Sequence, residues 1–80
     1  MFFVYILYSE SIGKYYVGHT NDFERRFHEH NSGQTTYSSR GIPWICIYKI
    51  ELENRSLAMI LETKIKKRGI ARYLKDIGVA

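Results

Sequence analysis

Two aromatic and β-branched runs open the chain, Phe2 to Tyr8 (FFVYILY) and Lys14 to His19 (KYYVGH), with only a short loop through Gly13 between them. Runs of this kind form strands, and a loop this short lets two strands pair only antiparallel. The chain is therefore committed to a β-hairpin before any other element is placed. Its 80 residues predict one domain, spanning 1–80, with one small core. The single cysteine, Cys46, excludes an intramolecular disulfide, so the core must do without staples. Seven Tyr, four Phe and one Trp supply large buried area per residue for that purpose.

Helix signals follow the hairpin. Asn21 is a good N-cap, with Glu24 three positions later in the capping-box place. Phe23 and Phe27 share a face, and the run ends at His30-Asn31-Ser32-Gly33. Residues 31–43 read as a polar loop, and residues 44–51 (WICIYKIE) as a third strand. Asn54 or Ser56 caps a second helix, whose Leu57, Ala58, Ile60, Leu61 and Ile65 lie near a 3.6-residue period. Gly69 breaks it, and residues 70–77 form a short last helix. The order is β-β-α-β-α-α, an α/β fold with a small, largely antiparallel sheet under helices.

Charge is uneven. Residues 1–40 carry four basic and four acidic side chains, whereas residues 41–80 carry eight and four, so the formal excess of +4 sits in the second half. Lys64, Lys66, Lys67, Arg68, Arg72 and Lys75 follow one another without an acid between them. Such a stretch favours polyanions, or it is a solvated helix face. No apolar run approaches the roughly 20 residues that span a bilayer. The apolar start lacks a preceding basic region and a cleavage site, so it reads as a strand and not a signal peptide. These features point to a cytoplasmic protein with no membrane contact. The histidines and Cys46 lack zinc-ligand spacing, and no glycine pattern for a nucleotide or organic cofactor is present. Cys46, between Ile45 and Ile47, reads as a packed thiol.

Three groups of residues could carry chemistry. On the first helix, Arg26 and His30 lie one turn apart beside the Phe23/Phe27 stripe, at the rim of a buried surface. Singly, Arg26 also reads as an arginine stretched along apolar surface, and His30 as a histidine favoured by the helix dipole. The open face carries Glu24, Arg25, His28 and Glu29. On the second helix, Glu62 stands at the edge of the apolar arc. It can pair with Lys66 one turn on, or hold a divalent cation beside phosphates. In the hairpin, Tyr5 and Tyr16 share a face only if paired positions sum to an odd number, as with Tyr8 opposite Tyr15. Val4, Ile6, Tyr15 and Val17 then form the other face. Gly18 inside a strand implies a close backbone approach or a bulge.

The joint pattern is far more specific than its parts. Val4-Tyr5-Ile6, then Tyr16-Val17-Gly18, then Arg26, then Ala58-x-x-x-Glu62-x-x-Ile65-Lys66 resembles the GIY-YIG endonuclease family, most of all its short stand-alone bacterial members. Glu29-His30-Asn31-Ser32-Gly33 and Tyr37-Ser38 before Pro43 extend the likeness over nearly the whole chain. The resemblance implies a three-stranded antiparallel sheet flanked by helices and hydrolysis of DNA phosphodiester bonds, in DNA repair, recombination or processing. It implies catalytic roles for Tyr5, Tyr16, Arg26, His30 and Glu62, with His19 where some members carry a lysine near the attacking water. It assigns one divalent ion, Mg²⁺ or Mn²⁺, to Glu62. A tyrosine of ordinary pKa near 10 is a poor base at pH 7, so it would need nearby cations or a partner such as His19. Arg40, Lys64, Lys66, Lys67, Arg68 and Arg72 are candidate nucleic-acid contacts. Two departures stand out: Val4-Tyr5-Ile6 replaces Gly-Ile-Tyr, and no asparagine follows the Glu62 helix. The alternatives are a nucleic-acid-binding module without catalysis, or an interaction domain whose tyrosines are only core. A monomer or a weak homodimer suits each.

Overall fold

A computed structural model describes residues 1–34 and 38–79. Strand β1 (Phe2–Ser9) pairs with β2 (Lys14–Thr20) and with β3 (Ile45–Leu52), antiparallel on both sides, in the order β2-β1-β3. Helix α1 (Phe23–Ser32) follows the hairpin, a 3-10 turn at Ser39–Gly41 precedes β3, and α2 (Arg55–Arg68) and α3 (Ile70–Asp76) close the fold. The hairpin register places Tyr8 opposite Tyr15, Ile6 opposite Val17 and Tyr5 opposite Gly18. Paired positions thus sum to an odd number, and Tyr5 and Tyr16 do share a face.

That register divides the interior in two. Val4, Ile6 and Val17 meet Ala58 and Ile65 of α2 and Leu74 of α3 on one face of the sheet. Tyr5 and Leu7 meet Phe23 of α1 and Trp44 on the other. Each fully buried aliphatic side chain contributes about 1.5–3 kcal/mol, which is how so short a chain folds without cross-links.

Local chemistry sets the helix ends, with one correction. The α1 cap is Asp22, whose Oδ1 accepts from the Arg25 amide at 3.1 Å, and not Asn21. β2 runs through Thr20, whose hydroxyl accepts from the Asp22 amide at 3.0 Å. Asn21 is thereby left to the turn, and Glu24 falls one position short of a capping box. α1 also continues to Ser32, into the stretch read as loop, before Gly33 ends it at φ 81°. Asn54 caps α2 as predicted, accepting from the Leu57 amide at 2.9 Å.

Cys46 is exposed, not packed. β3 is an edge strand, and its pairing with β1 shifts between Ile6, opposite Tyr48, and Leu7, opposite Cys46. The shift leaves Ile47 as an extra residue and breaks the alternation that would have carried Cys46 inward. Trp44 precedes β3 and is buried. Its indole Nε1–H donates to the Ser38 carbonyl at 2.7 Å.

Candidate active site

The candidate residues gather around edge strand β2. Along it, Tyr16 points to the α1 side and His19, opposite Val4, to the α2 side. Two half-sites result, one on each face, joined over the strand's free edge.

The α1 half holds Tyr5, Tyr16, Arg26 and His30. The Tyr5 ring lies across β2 where Gly18 leaves room for it. A Cβ on Gly18 would stand 2.6 Å from Tyr5 Oη, closer than any side chain tolerates. The Tyr5 hydroxyl shares a 3.2 Å hydrogen bond with His30 Nε2. The Tyr16 ring meets the His30 ring edge-on at 4.7 Å. Arg26 donates to Glu29 Oε1 at 3.1 Å. Burial alone would weaken its charge, but Glu29 and the hydroxyls of Tyr5 and Tyr16 outweigh that and hold it firmly protonated.

His30 is completely buried, and not at a rim. Burial and then the Arg26 charge push its pKa down to about 4, so it is neutral at pH 7 and gains nothing from the helix dipole. Its Nδ1 is buried with no hydrogen-bond partner among the described residues, an uncommon cost in a core. Tyr5 is also buried. Its pKa is pushed up to about 12 by burial first and then by Tyr16, with Arg26 opposing. The lowering that a tyrosine base would need is thus outweighed at Tyr5, whose hydroxyl remains a proton donor.

The α2 half holds His19 and Glu62. His19 Nδ1 lies 2.6 Å from Glu62 Oε1, and Lys66 Nζ 2.7 Å from Glu62 Oε2. Burial alone would raise the Glu62 pKa, but Lys66 and His19 outweigh it and keep the carboxylate ionised. With Nδ1 given to a carboxylate, a neutral His19 presents the lone pair of Nε2 outward. A cavity of about 340 Å³ runs over the β2 edge, lined by Tyr15, Tyr16, Glu62 and Lys66 among others. Tyr16 and Glu62, from opposite faces, thus share one cleft.

A metal can be judged against this donor set. Among the described residues no group of three or more His, Cys, Asp and Glu side chains converges. Glu62 is a lone carboxylate, partly exposed at 16% and open to the cleft. Such a donor fits a hard cation that fills its shell with waters and phosphate oxygens, and would not hold an ion that demands a protein cage. Lys66 now occupies Oε2, but its own side chain is 59% exposed and easily displaced.

The basic residues divide. Lys66 lines the cleft. Arg68 and Arg72 line a separate cavity of about 530 Å³, where Arg68 is held by both oxygens of Asp76 at 2.7 and 3.0 Å. Arg40 is exposed on the 3-10 turn, and Lys64 and Lys67 on α2. Tyr37 lies outside the described residues. Sequence reasoning missed Asn31 as a clamp. Its side chain accepts from the Trp44 amide at 2.6 Å and donates to the Trp44 carbonyl at 3.1 Å, fixing the segment beneath Tyr16. Asn31 looked like a helix terminator, and nothing local ties it to Trp44. Arg55, which stands over the Phe2 ring at 5.3 Å, was missed as well.

A small antiparallel sheet whose edge strand gathers tyrosines, an arginine, histidines and one glutamate is the arrangement that the family resemblance implies. The chain belongs to the GIY-YIG family, whose catalytic-domain model matches residues 1–73. Within it, the chain is similar to UPF0213 proteins. It is 37% identical to one from Halobacterium salinarum over 78% of this chain and 82% of that protein. It is 32% identical to one from Limosilactobacillus reuteri over 98% and 86%. A third, from Vibrio campbellii, is 40% identical over 65% of this chain but only 51% of its own length. The solution NMR structure of the UPF0213 protein of Bacillus halodurans matches with a TM-score of 0.61 and 27% identity, over 99% of this chain and 85% of that one. Among the described residues no helix is long and apolar enough to cross a membrane.

Proposed function

We propose that this GIY-YIG protein is a divalent-metal-dependent endonuclease that hydrolyses DNA phosphodiester bonds, in DNA repair, recombination or processing. The observation that carries this reading is the meeting of Tyr16 and Glu62 in one cleft, with Arg26 and His19 beside them. Phosphodiester hydrolysis needs an activated water, charge stabilisation on the phosphoryl oxygens and help for the leaving oxygen. Arg26, protonated at all accessible pH, binds the phosphate through a bidentate fork. His19 is the best base: Glu62 orients its ring, and its Nε2 accepts the proton of the attacking water. Tyr5, with its raised pKa, suits hydrogen-bond donation and not proton abstraction. Its bond to neutral His30 fixes where the hydroxyl sits. Glu62 Oε2 would hold one Mg²⁺ or Mn²⁺ in place of Lys66, and that ion would supply Lewis-acid stabilisation of the phosphate's developing charge.

The test is a cleavage assay on labelled duplex, branched and single-stranded DNA with Mg²⁺, Mn²⁺ or EDTA. Metal-dependent products that disappear in both Glu62→Ala and Arg26→Ala are expected. Absence of product from every substrate, with the protein folded and still bound to DNA, would overturn the enzyme reading. It would leave a nucleic-acid-binding module on the same fold.

A further inference from the structure

A second polar cavity, of about 370 Å³, adjoins the site on the far side of His19. Arg25, Arg26 and Arg55 line it together with His19, Phe2 and Glu29. Three guanidinium groups face one carboxylate, so among its lining side chains the arginines outnumber the acids by two. Its wall is the His19–Glu62 pair. His19 faces this cavity and Glu62 the cleft over the β2 edge, so the two depressions meet at the candidate centre.

Arg55 is the unusual member. Its guanidinium carbon lies 5.3 Å from the centroid of the Phe2 ring, and it forms no ion pair among the described residues. An arginine on an aromatic face loses little entropy on binding, because its fork is already oriented and its N–H edges remain free. Arg25 is nearly as available. Its contacts to Asp22 and Glu29 are both 3.8 Å long, and Glu29 is shared with Arg26 at the shorter 3.1 Å. Exchanging such loose exposed pairs for a phosphate costs little. Arg68, by contrast, must first release both oxygens of Asp76.

We propose that Arg55, with Arg25 beside it, forms a phosphate-binding subsite that holds the nucleic-acid backbone phosphate next to the one taken by Arg26. The inference rests on the proposed function and adds the path of the bound strand. The strand runs from Arg55 and Arg25, over the His19–Glu62 pair, into the cleft of Tyr16 and Lys66.

The experiment is fluorescence anisotropy of a short fluorescein-labelled DNA duplex and its single strand, in EDTA, over a series of salt concentrations. Arg55→Gln, Arg55→Lys and, as a charge control at the far end of β2, Lys14→Gln are compared with the unaltered protein. Arg55→Gln is expected to weaken binding about three- to tenfold and to reduce the slope of log K against log salt by about one, the signature of one lost phosphate contact. Arg55→Lys should keep the slope but recover only part of the affinity, because an ammonium lacks the stacked fork. If Arg55→Gln behaves like Lys14→Gln while the unaltered protein binds, the subsite is overturned and the nuclease reading stands. If the unaltered protein shows no salt-sensitive binding at all, the nuclease reading fails and takes the subsite with it.

Discussion

Alternate residues of β1 enter two different interiors. Val4 and Ile6 pack under α2 and α3 in a cluster with Val17, Ala58, Ile65 and Leu74. Tyr5 enters a space shared with Phe23, Trp44, Tyr16 and a fully buried His30, one nitrogen of which has no partner among the described residues. A face built only for stability would not retain that orphaned nitrogen. The α2 face is the foundation, and the α1 face trades packing for polar groups held in place. Glu62 and His19 stand on the foundation side but reach round the β2 edge, so the proposed site is rigid from below and polar from above.

The sharpest way to break this contrast is a crossed pair of substitutions. Arg26→Ala should lower the cleavage rate by about 10²–10³-fold, the usual loss for one transition-state donor, while hardly moving the melting temperature. Ile65→Ala should destabilise by about 2–5 kcal/mol in denaturant titration and leave the rate of the folded fraction unchanged. If Ile65→Ala also removed activity from folded protein, the two faces would not be separable.

A pH titration probes the polar face alone. His30 accepts a proton near 6.5 in an unfolded chain but only near about 4 in the native one. Between these values the unfolded state binds more protons. Stability therefore falls as pH drops from about 6.5 to about 4 and changes no further on this account below that. The loss is of order 3 kcal/mol at most. Equilibrium unfolding across this window measures it, and His30→Gln should flatten the slope. A slope that persists in His30→Gln would place the titrating group elsewhere.

Much of this was legible in sequence because it is local. Gly18 announced the close approach that Tyr5 makes, and the alternation of residues 4–8 and 15–17 set the register once Tyr8 faced Tyr15. What escaped depends on distant neighbours. Nothing near Cys46 says that β3 lies at the sheet edge with a shifted register, so its exposure could not be foreseen. His30 sits at a helix end, where histidines are ordinarily exposed and charged. Burial against Tyr5 and Tyr16, and then the charge of Arg26, push its pKa down instead. Asn21 and Asp22 are both good caps, and the length of β2, not either residue, chose between them. Arg55 gives no signal in sequence because Phe2 is more than fifty positions away.

Gly18→Ala tests the seam between the faces with a smaller effect. The added Cβ must push the Tyr5 ring aside, costing about 1–3 kcal/mol. Because the displaced ring carries the hydroxyl bonded to His30, activity should fall further than stability does. Equal losses would mean that Tyr5 is only packing.

Tyr5→Phe is the mildest change and the most discriminating. The ring, and with it the contacts to Phe23 and Tyr16, remains. Only the hydroxyl is lost, which leaves both His30 nitrogens unpaired and costs about 1–2 kcal/mol. Removing both partners of a buried hydrogen bond is cheaper than removing one, since no desolvated polar atom is left behind. The double variant Tyr5→Phe/His30→Leu should therefore recover stability relative to Tyr5→Phe, while cleavage stays low in both. That outcome would mean the pair is kept for positioning the phenol and not for holding the fold. If the two losses simply add in the double variant and cleavage is unchanged throughout, Tyr5 and His30 are structural, and the polar face owes its chemistry to Arg26 and Tyr16 alone.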